Sequence, residues 1–248
     1  MLRFAQVFSI GLLLLAAPAQ AADPVFTAPQ RQAIIDIIRD AMRTDPSILR
    51  DAVTALQQEE NRKQETAASD MIVELAPALI RNPADPVAGN PKGDVTIVEF
   101  YDVRCPYCRQ MVGVMDELLR RDGNVRVVYK DMPVLGPASV MGAKALLAAQ
   151  KQGGYVKMHA QLMAANPAMD EATLQAATQK AGLDWVQLKR DMDAPDIKTR
   201  IDANLALGRQ LDIQGTPAYV IGGRLLPGAV GLAELREAVV AARATVRK

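Results

Sequence analysis

Val95-Thr96-Ile97-Val98-Glu99-Phe100-Tyr101 runs into Asp102-Val103-Arg104-Cys105-Pro106-Tyr107-Cys108, and this stretch decides the fold. Apart from Glu99 its first part is β-branched and aromatic, the composition of a buried strand. Pro106 suits the first position of a helix, which predicts a helix over residues 106–121 with Cys105 at its cap. There the unsatisfied backbone N–H groups and the positive end of the helix dipole favour an anion. The Cys105 thiol is therefore expected to ionise below the usual value of about 8.5, toward roughly 3.5–7.5. Arg104 adds positive charge in the same direction. Cys108 lies one turn further in, on the same face, within reach of a mixed disulfide formed at Cys105. The pair reads as an exposed nucleophile and a buried resolver. Two other readings stay open. A static disulfide would close a tiny loop and gain little stability. Two thiols at this spacing also suit copper, although a Pro inside the motif and a helix starting on it suit exchange better.

Working outward, Glu99 stands in an apolar run, where burial would raise its pKa and let it relay a proton to or from Cys108. A strand-end carboxylate reaching solvent is the alternative. Lys130 is a candidate counter-charge for it. Gly215-Thr216-Pro217 precedes a hairpin. A cis bond there would leave the Thr216 N–H and C=O to pair with an extended peptide beside Cys105, though spacing does not establish cis. His159, in a helical pattern, reads as a packing or surface residue.

Residues 125–129 form a second strand, and residues 138–210 are helix-forming, with breaks at Gly153-Gly154, Asn166-Pro167, Gly182 and Ala194-Pro195. Ala218-Tyr219-Val220-Ile221, Gly222-Gly223 and Arg224-Leu225-Leu226 form a hairpin, and residues 232–246 a terminal helix. Upstream, Arg3, the apolar run 7–17 and Ala19-Gln20-Ala21 read as a secretory signal peptide over residues 1–21, with a mature start at Ala22. That predicts export to a compartment where disulfides persist. Thr27, Pro29 and Gln30 start a helix carrying Ile34, Ile35, Ile38, Ala41 and Met42 at helical spacing. Asp45-Pro46 starts another, striped by Ile48, Leu49, Ala52, Val53 and Leu56. Residues 57–70 hold no large apolar residue but favour helix. Residues 22–83 thus make a helical segment with too little chain for its own core. It packs on the rest or pairs with copies of itself, and the polar stretch favours self-association through a stalk.

The chain has 248 residues, 50% of them hydrophobic and 23% charged, which are globular proportions. Its 29 Lys and Arg face 28 Asp and Glu, and Arg3 falls in the leader, so the mature chain is neutral. That discounts nucleic acid and anionic lipid as partners. Two Cys and one His leave little for a metal centre or a hydrolytic triad. The 11 Met fit packing, as the spacing of Met111 and Met115 shows. No cofactor and no metal site is expected.

Over residues 84–248 the chain resembles the DsbA family. The resemblance rests on Val98-Glu99-Phe100, Cys105-Pro106-Tyr107-Cys108, Pro133-Val134-Leu135-Gly136 and Gly215-Thr216-Pro217, in that order. It implies an α/β thioredoxin fold with a helical insertion at about 138–210, preceded by an N-terminal helical oligomerisation segment. Cys105 would be the nucleophile, Cys108 the resolving thiol, Glu99 a buried acid and Pro217 a cis-proline. Thr216, Pro217, Pro106 and Tyr107 would contact substrate. Asp45-Pro46-Ser47-Ile48-Leu49 and Gly89-Asn90-Pro91-Lys92-Gly93-Asp94 resemble the suppressor-of-copper-sensitivity protein C (ScsC) group. Its N-terminal helices can drive oligomers, trimers included, and its oligomeric members tend to be disulfide isomerases. A departure is Val103, where that group usually has Tyr. The implied function is a periplasmic thiol:disulfide oxidoreductase acting as an isomerase on misfolded exported proteins. It would be a trimer or dimer through residues 23–80, kept reduced by a DsbD/ScsB-like membrane reductase. The alternatives are a DsbA-like oxidase with a DsbB-like partner, and a copper-binding or copper-tolerance protein. Glutaredoxins share Cys-Pro-Tyr-Cys but are shorter and usually carry Thr-Val-Pro.

Overall fold

The computed structural model describes residues 25–246; the expected signal peptide, its cleavage site and the start at Ala22 lie outside them. Two compact units divide at Gln58 and Glu59, within a helix. In the first, α1 (Ala28–Thr44) starts as the sequence predicts, with the Thr27 N–H donating to Gln30 Oε1 at 2.8 Å. No residue of α1 is buried. The first part of α2 (Ser47–Glu74) completes that unit, with Ile48, Leu49, Val53 and Leu56 exposed.

The second unit is built on five strands in the order β1-β3-β2-β4-β5. β2 (Val95–Tyr101) and β3 (Val125–Asp131) pair in parallel, Glu99 beside Tyr129 and Phe100 beside Lys130. β4 (Ala218–Ile221) runs antiparallel to β2 and pairs Tyr219 with Glu99. β4 turns into β5 (Arg224–Pro227) through Gly222-Gly223, whose φ values of +55° and +84° suit a tight hairpin. β1 (Val87–Gly89), antiparallel to the outer edge of β3, is too short for a sequence pattern to show.

Alternation along the strands sorts two cores. Val95, Ile97, Tyr101, Val127 and Tyr219 face α4 (Pro106–Arg121), α10 (Leu232–Val246) and the helical insertion. That insertion comprises α5 (Pro137–Lys151), α6 (Tyr155–Ala164), α7 (Glu171–Lys180), α8 (Trp185–Asp191) and α9 (Pro195–Gln210). Its joints fall at the Gly and Pro breaks read from the sequence. Val98, Phe100, Val128 and Val220 face the other way, against Leu207 and Leu211, and against Ile72 from α2 and Leu79 from α3 (Ala76–Ile80). Leu79 is fully buried. Residues 71–80 therefore help to complete the sheet's second core, through Ile72, Leu75, Leu79 and Ile80.

Candidate active site

Cys105 is the N-cap of α4, with φ −63° and ψ 122°, and Pro106 is its first residue. The Cys105 N–H donates to the Asp102 carbonyl at 2.9 Å. Across from it the Thr216–Pro217 bond is cis. The Cys105 Sγ–H donates to the Thr216 carbonyl at 3.1 Å. Two expectations are corrected by this contact. The Thr216 carbonyl is not free but receives the thiol. Cys105 is not exposed either: it is 5% accessible, because the loop carrying Thr216 lies over its sulfur. Cys108 is fully buried, and burial pushes its thiol up. Both cysteines are free thiols.

Glu99 is buried on the same face of the sheet, with the Tyr219 hydroxyl donating to its Oε1 at 3.3 Å. Burial pushes its carboxyl up to about 7, against the opposing effect of that hydrogen bond. Lys130 does not serve it. As the neighbour of Tyr129 it points to the opposite face, where its Nζ donates to Asp85 Oδ2 at 2.5 Å and to the Ala78 carbonyl at 2.7 Å. Period-two alternation was the signal that placed these two groups on opposite sides.

Three residues around the cysteines have roles that sequence reasoning missed. Asp102, 1% accessible, accepts backbone N–H groups from Arg104 at 2.8 Å and from Val134 and Leu135 at 2.9 and 3.0 Å. Its carboxylate ties the loop after β3 to the mouth of α4. Arg104, expected to add positive charge beside Cys105, donates to the carbonyls of Pro167 and Leu135 at 2.7 and 2.8 Å. Arg109 donates to the carbonyls of Val103, Leu162, Met163 and Ala165, closing the end of α6 with positive charge where the helix dipole is negative. The single hint was an Asp followed two residues on by a potential turn amide. Around this frame Tyr107 is 61% exposed and Val134 and Leu135 are 45% exposed. With Pro106 and half-buried Thr216 they form an apolar rim, while Pro217 is buried beneath it. Val103 is buried against Gly142, where an added Cβ would lie 2.4 Å from Val103 Cγ1, so this position is a core contact.

Among the described residues no three His, Cys, Asp or Glu side chains cluster as metal ligands would, and no helix is long and apolar enough to cross a membrane. What the site can do is thiol chemistry: one sulfur at a helix mouth beside a peptide-like carbonyl, a second sulfur behind it, and a protonatable acid in the core.

Residues 96–240, more than half of the chain, match the DSBA-like thioredoxin domain model. Residues 30–63 match the N-terminal domain of copper resistance protein ScsC. A thioredoxin-like oxidoreductase from Silicibacter pomeroyi DSS-3 is 42% identical over 68% of this chain and 97% of that one, with a TM-score of 0.66. ScsC of Proteus mirabilis, in a transitional conformation, is 28% identical over 89% of this chain and 98% of that one, with a TM-score of 0.65. The Na(+)/H(+) antiporter NhaA 3 of Salinispora tropica is 30% identical over 182 residues, covering 73% of this chain and 28% of that protein. The chain spans about a quarter of the length of the antiporters it matches.

Proposed function

The chain belongs to the DSBA-like thioredoxin domain family, whose fold is that of thiol:disulfide oxidoreductases, and on that premise we propose that it is a periplasmic disulfide isomerase working as an oligomer. The chemistry follows from the site. Cys105, as thiolate, attacks a non-native disulfide in an exported client. A bond forms between Cys105 and one client sulfur, and the other client sulfur leaves as a thiolate and takes up a proton. A third client thiolate then attacks the captured sulfur, which returns Cys105 and completes an isomerisation without net redox change. Alternatively Cys108 attacks the Cys105 sulfur, its proton passing to the Glu99 carboxylate and the client departing as a thiolate. That route passes two electrons to the client and leaves Cys105 and Cys108 oxidised, so a membrane reductase must restore them. Once Cys105 has ionised it no longer donates to the Thr216 carbonyl, and that carbonyl with the rim of Pro106 and Tyr107 supports the capture of an extended apolar client segment.

The observation that carries the isomerase reading is the bare apolar face of the first unit. Ile34, Ile35, Ile38 and Met42 on α1 are 38–49% exposed, and no residue of that helix is buried. A face of this kind suits a second copy of the same helix, which would bring two or more active sites around one client. The test is Ile34→Glu with Ile38→Glu in the full chain, read by light scattering and by reactivation of a scrambled client. The expected outcome is a single-chain mass, isomerase activity reduced at least about tenfold, and dithiol oxidation retained. A native protein that is already a single chain, or a variant that unscrambles as well as the native one, contradicts the isomerase reading. A single chain that oxidises dithiols efficiently is the oxidase outcome.

A further inference from the structure

On the face of the sheet away from the thiols, positive charge is in surplus. Lys130 is buried there and forms its one ion pair with Asp85. Two more cations act on both members of this pair, Arg200 of α9 and Arg126 of β3. Among the described residues neither has a carboxylate partner. Arg126 Nη1 donates to the Ile80 carbonyl at 3.0 Å, while Arg200 Nη2 donates to the Ala84 carbonyl and, at 3.1 Å, to Gln150 Oε1. That leaves Nε and Nη1 of Arg200 without a partner among those residues. The acids of α9 nearest in sequence, Asp196 and Asp202, are taken by Lys151 and Lys198. Asp131 lies behind, its two oxygens accepting the hydroxyls of Tyr101 and Tyr155 at 2.9 Å. Even with Asp131 counted, three cations face two carboxylates, and unbalanced charge away from water is costly.

These charges line a cavity. It has a volume of about 350 Å³, within the range of roughly 300–1,000 Å³ that small-molecule sites occupy. Lys130, Asp85 and Asn204 are its buried residues, Arg200 is half-buried, and Ala203 is exposed. Leu75, at the start of α3, and Leu207 of α9 add apolar wall. Asn204 Nδ2 donates to the Asp131 carbonyl at 3.2 Å and so ties α9 to the end of β3, which holds the cavity open in the absence of a ligand. We infer that this cavity binds a small organic acid, its carboxylate on the free edge of the Arg200 guanidinium beside Lys130 and its short apolar chain against Leu75 and Leu207. A guanidinium edge presents two coplanar N–H groups that match the two oxygens of a carboxylate, and the apolar walls favour an organic anion over an inorganic one. The bound charge would also relieve the cations. Burial pushes the Lys130 ammonium down, and Arg200 and Arg126 push it further, with Asp85 alone opposing them. The site is separate from the thiol chemistry, because Cys105 and Cys108 pack in the core on the other side of the sheet.

The experiment adds hexanoate to the full-length dithiol protein at pH 7, in a buffer free of other carboxylates, with hexanol and inorganic phosphate as comparisons. Binding is followed by the side-chain NMR signals of Arg200 and Asn204. Hexanoate is expected to bind saturably in the millimolar range, at least about tenfold more tightly than hexanol or phosphate. Arg200→Gln removes the guanidinium, and Ala203→Trp, at an exposed position, fills the mouth. Each should weaken hexanoate at least about tenfold. No saturable shift in the native protein overturns the site. Hexanol binding as tightly as hexanoate reduces it to an apolar cavity, and phosphate binding as tightly removes the case for an organic acid; either result overturns the inference. Should Arg200→Gln not fold, Ala203→Trp decides, and undiminished hexanoate binding in that variant places the ligand elsewhere and overturns the assignment.

Discussion

Replacing Glu99 by Gln keeps the shape of the side chain and the oxygen that accepts from Tyr219, and removes only the ionisation. In the folded chain burial holds this carboxyl up at about 7, whereas in the unfolded chain it returns to its ordinary 4.5. The native state therefore binds the proton more tightly. The stability this contributes is fully present below pH 4.5 and is lost as pH rises through 7. At about 1.4 kcal/mol for each pH unit, the gap corresponds to about 3 kcal/mol of stability that native protein forgoes in alkaline solution. Glu99→Gln does not ionise, so it should match the native protein at pH 4 and exceed it by about 3 kcal/mol at pH 9. In a domain of this size that difference corresponds to a melting temperature higher by roughly 6–12 °C. Other buried groups, such as Asp131 with its carboxyl pushed up to about 6, titrate in both proteins and cancel in the comparison. Thermal unfolding of the two dithiol proteins at pH 4 and pH 9 is the assay. The same variant should slow resolution by Cys108 roughly 10²-fold, the loss expected for a positioned proton acceptor. Equal melting shifts at the two pH values, or a lower melting temperature for the variant at pH 9, would refute the burial argument.

Lys130→Met leaves Asp85 buried without its cation, which should cost about 3–5 kcal/mol and lower the melting temperature by roughly 6–20 °C. The Glu99 midpoint should stay put, and a midpoint that moves would return Lys130 to the active-site face. Asp102→Ala removes the acceptor of three backbone N–H groups, so amide exchange at Val134 and Leu135 should quicken at least about tenfold, with measurable loss of stability. Unchanged exchange at those two amides, followed by mass spectrometry, contradicts the clamp. Cys108→Ser should accumulate a client mixed disulfide on Cys105 that non-reducing gels detect, and its absence contradicts the assignment of the resolving thiol.

The elements that carry chemistry were legible because their signals are local. Pro106 after Cys105 marks a helix start from adjacent residues alone, and the joints of the helical insertion follow Gly and Pro. The hairpin at Gly222-Gly223 is equally a matter of neighbours. What the sequence did not reveal depends on contacts between distant segments. The burial of Cys105 comes from a carbonyl more than a hundred residues away, and the partner of Lys130 comes from Asp85 in a loop that carries no pattern. Residues 71–80 read as the end of a helical segment, since nothing in them says that Leu79 is covered by the sheet. Arg104 read only as positive charge beside Cys105, and nothing marked Arg109, until the carbonyls that receive them are placed. His159 read as a packing or surface residue, and its ring packs among tyrosines.

The account depends on Cys105 receiving the client and Cys108 standing behind it. The direct measurement is the rate at which each thiol of the native, full-length dithiol protein is alkylated at pH 7, read peptide by peptide by mass spectrometry. Cys105, at the helix mouth, should react at least about 100-fold faster than Cys108, whose thiol is fully buried and pushed up by that burial. Equal rates, or faster modification of Cys108, would contradict it.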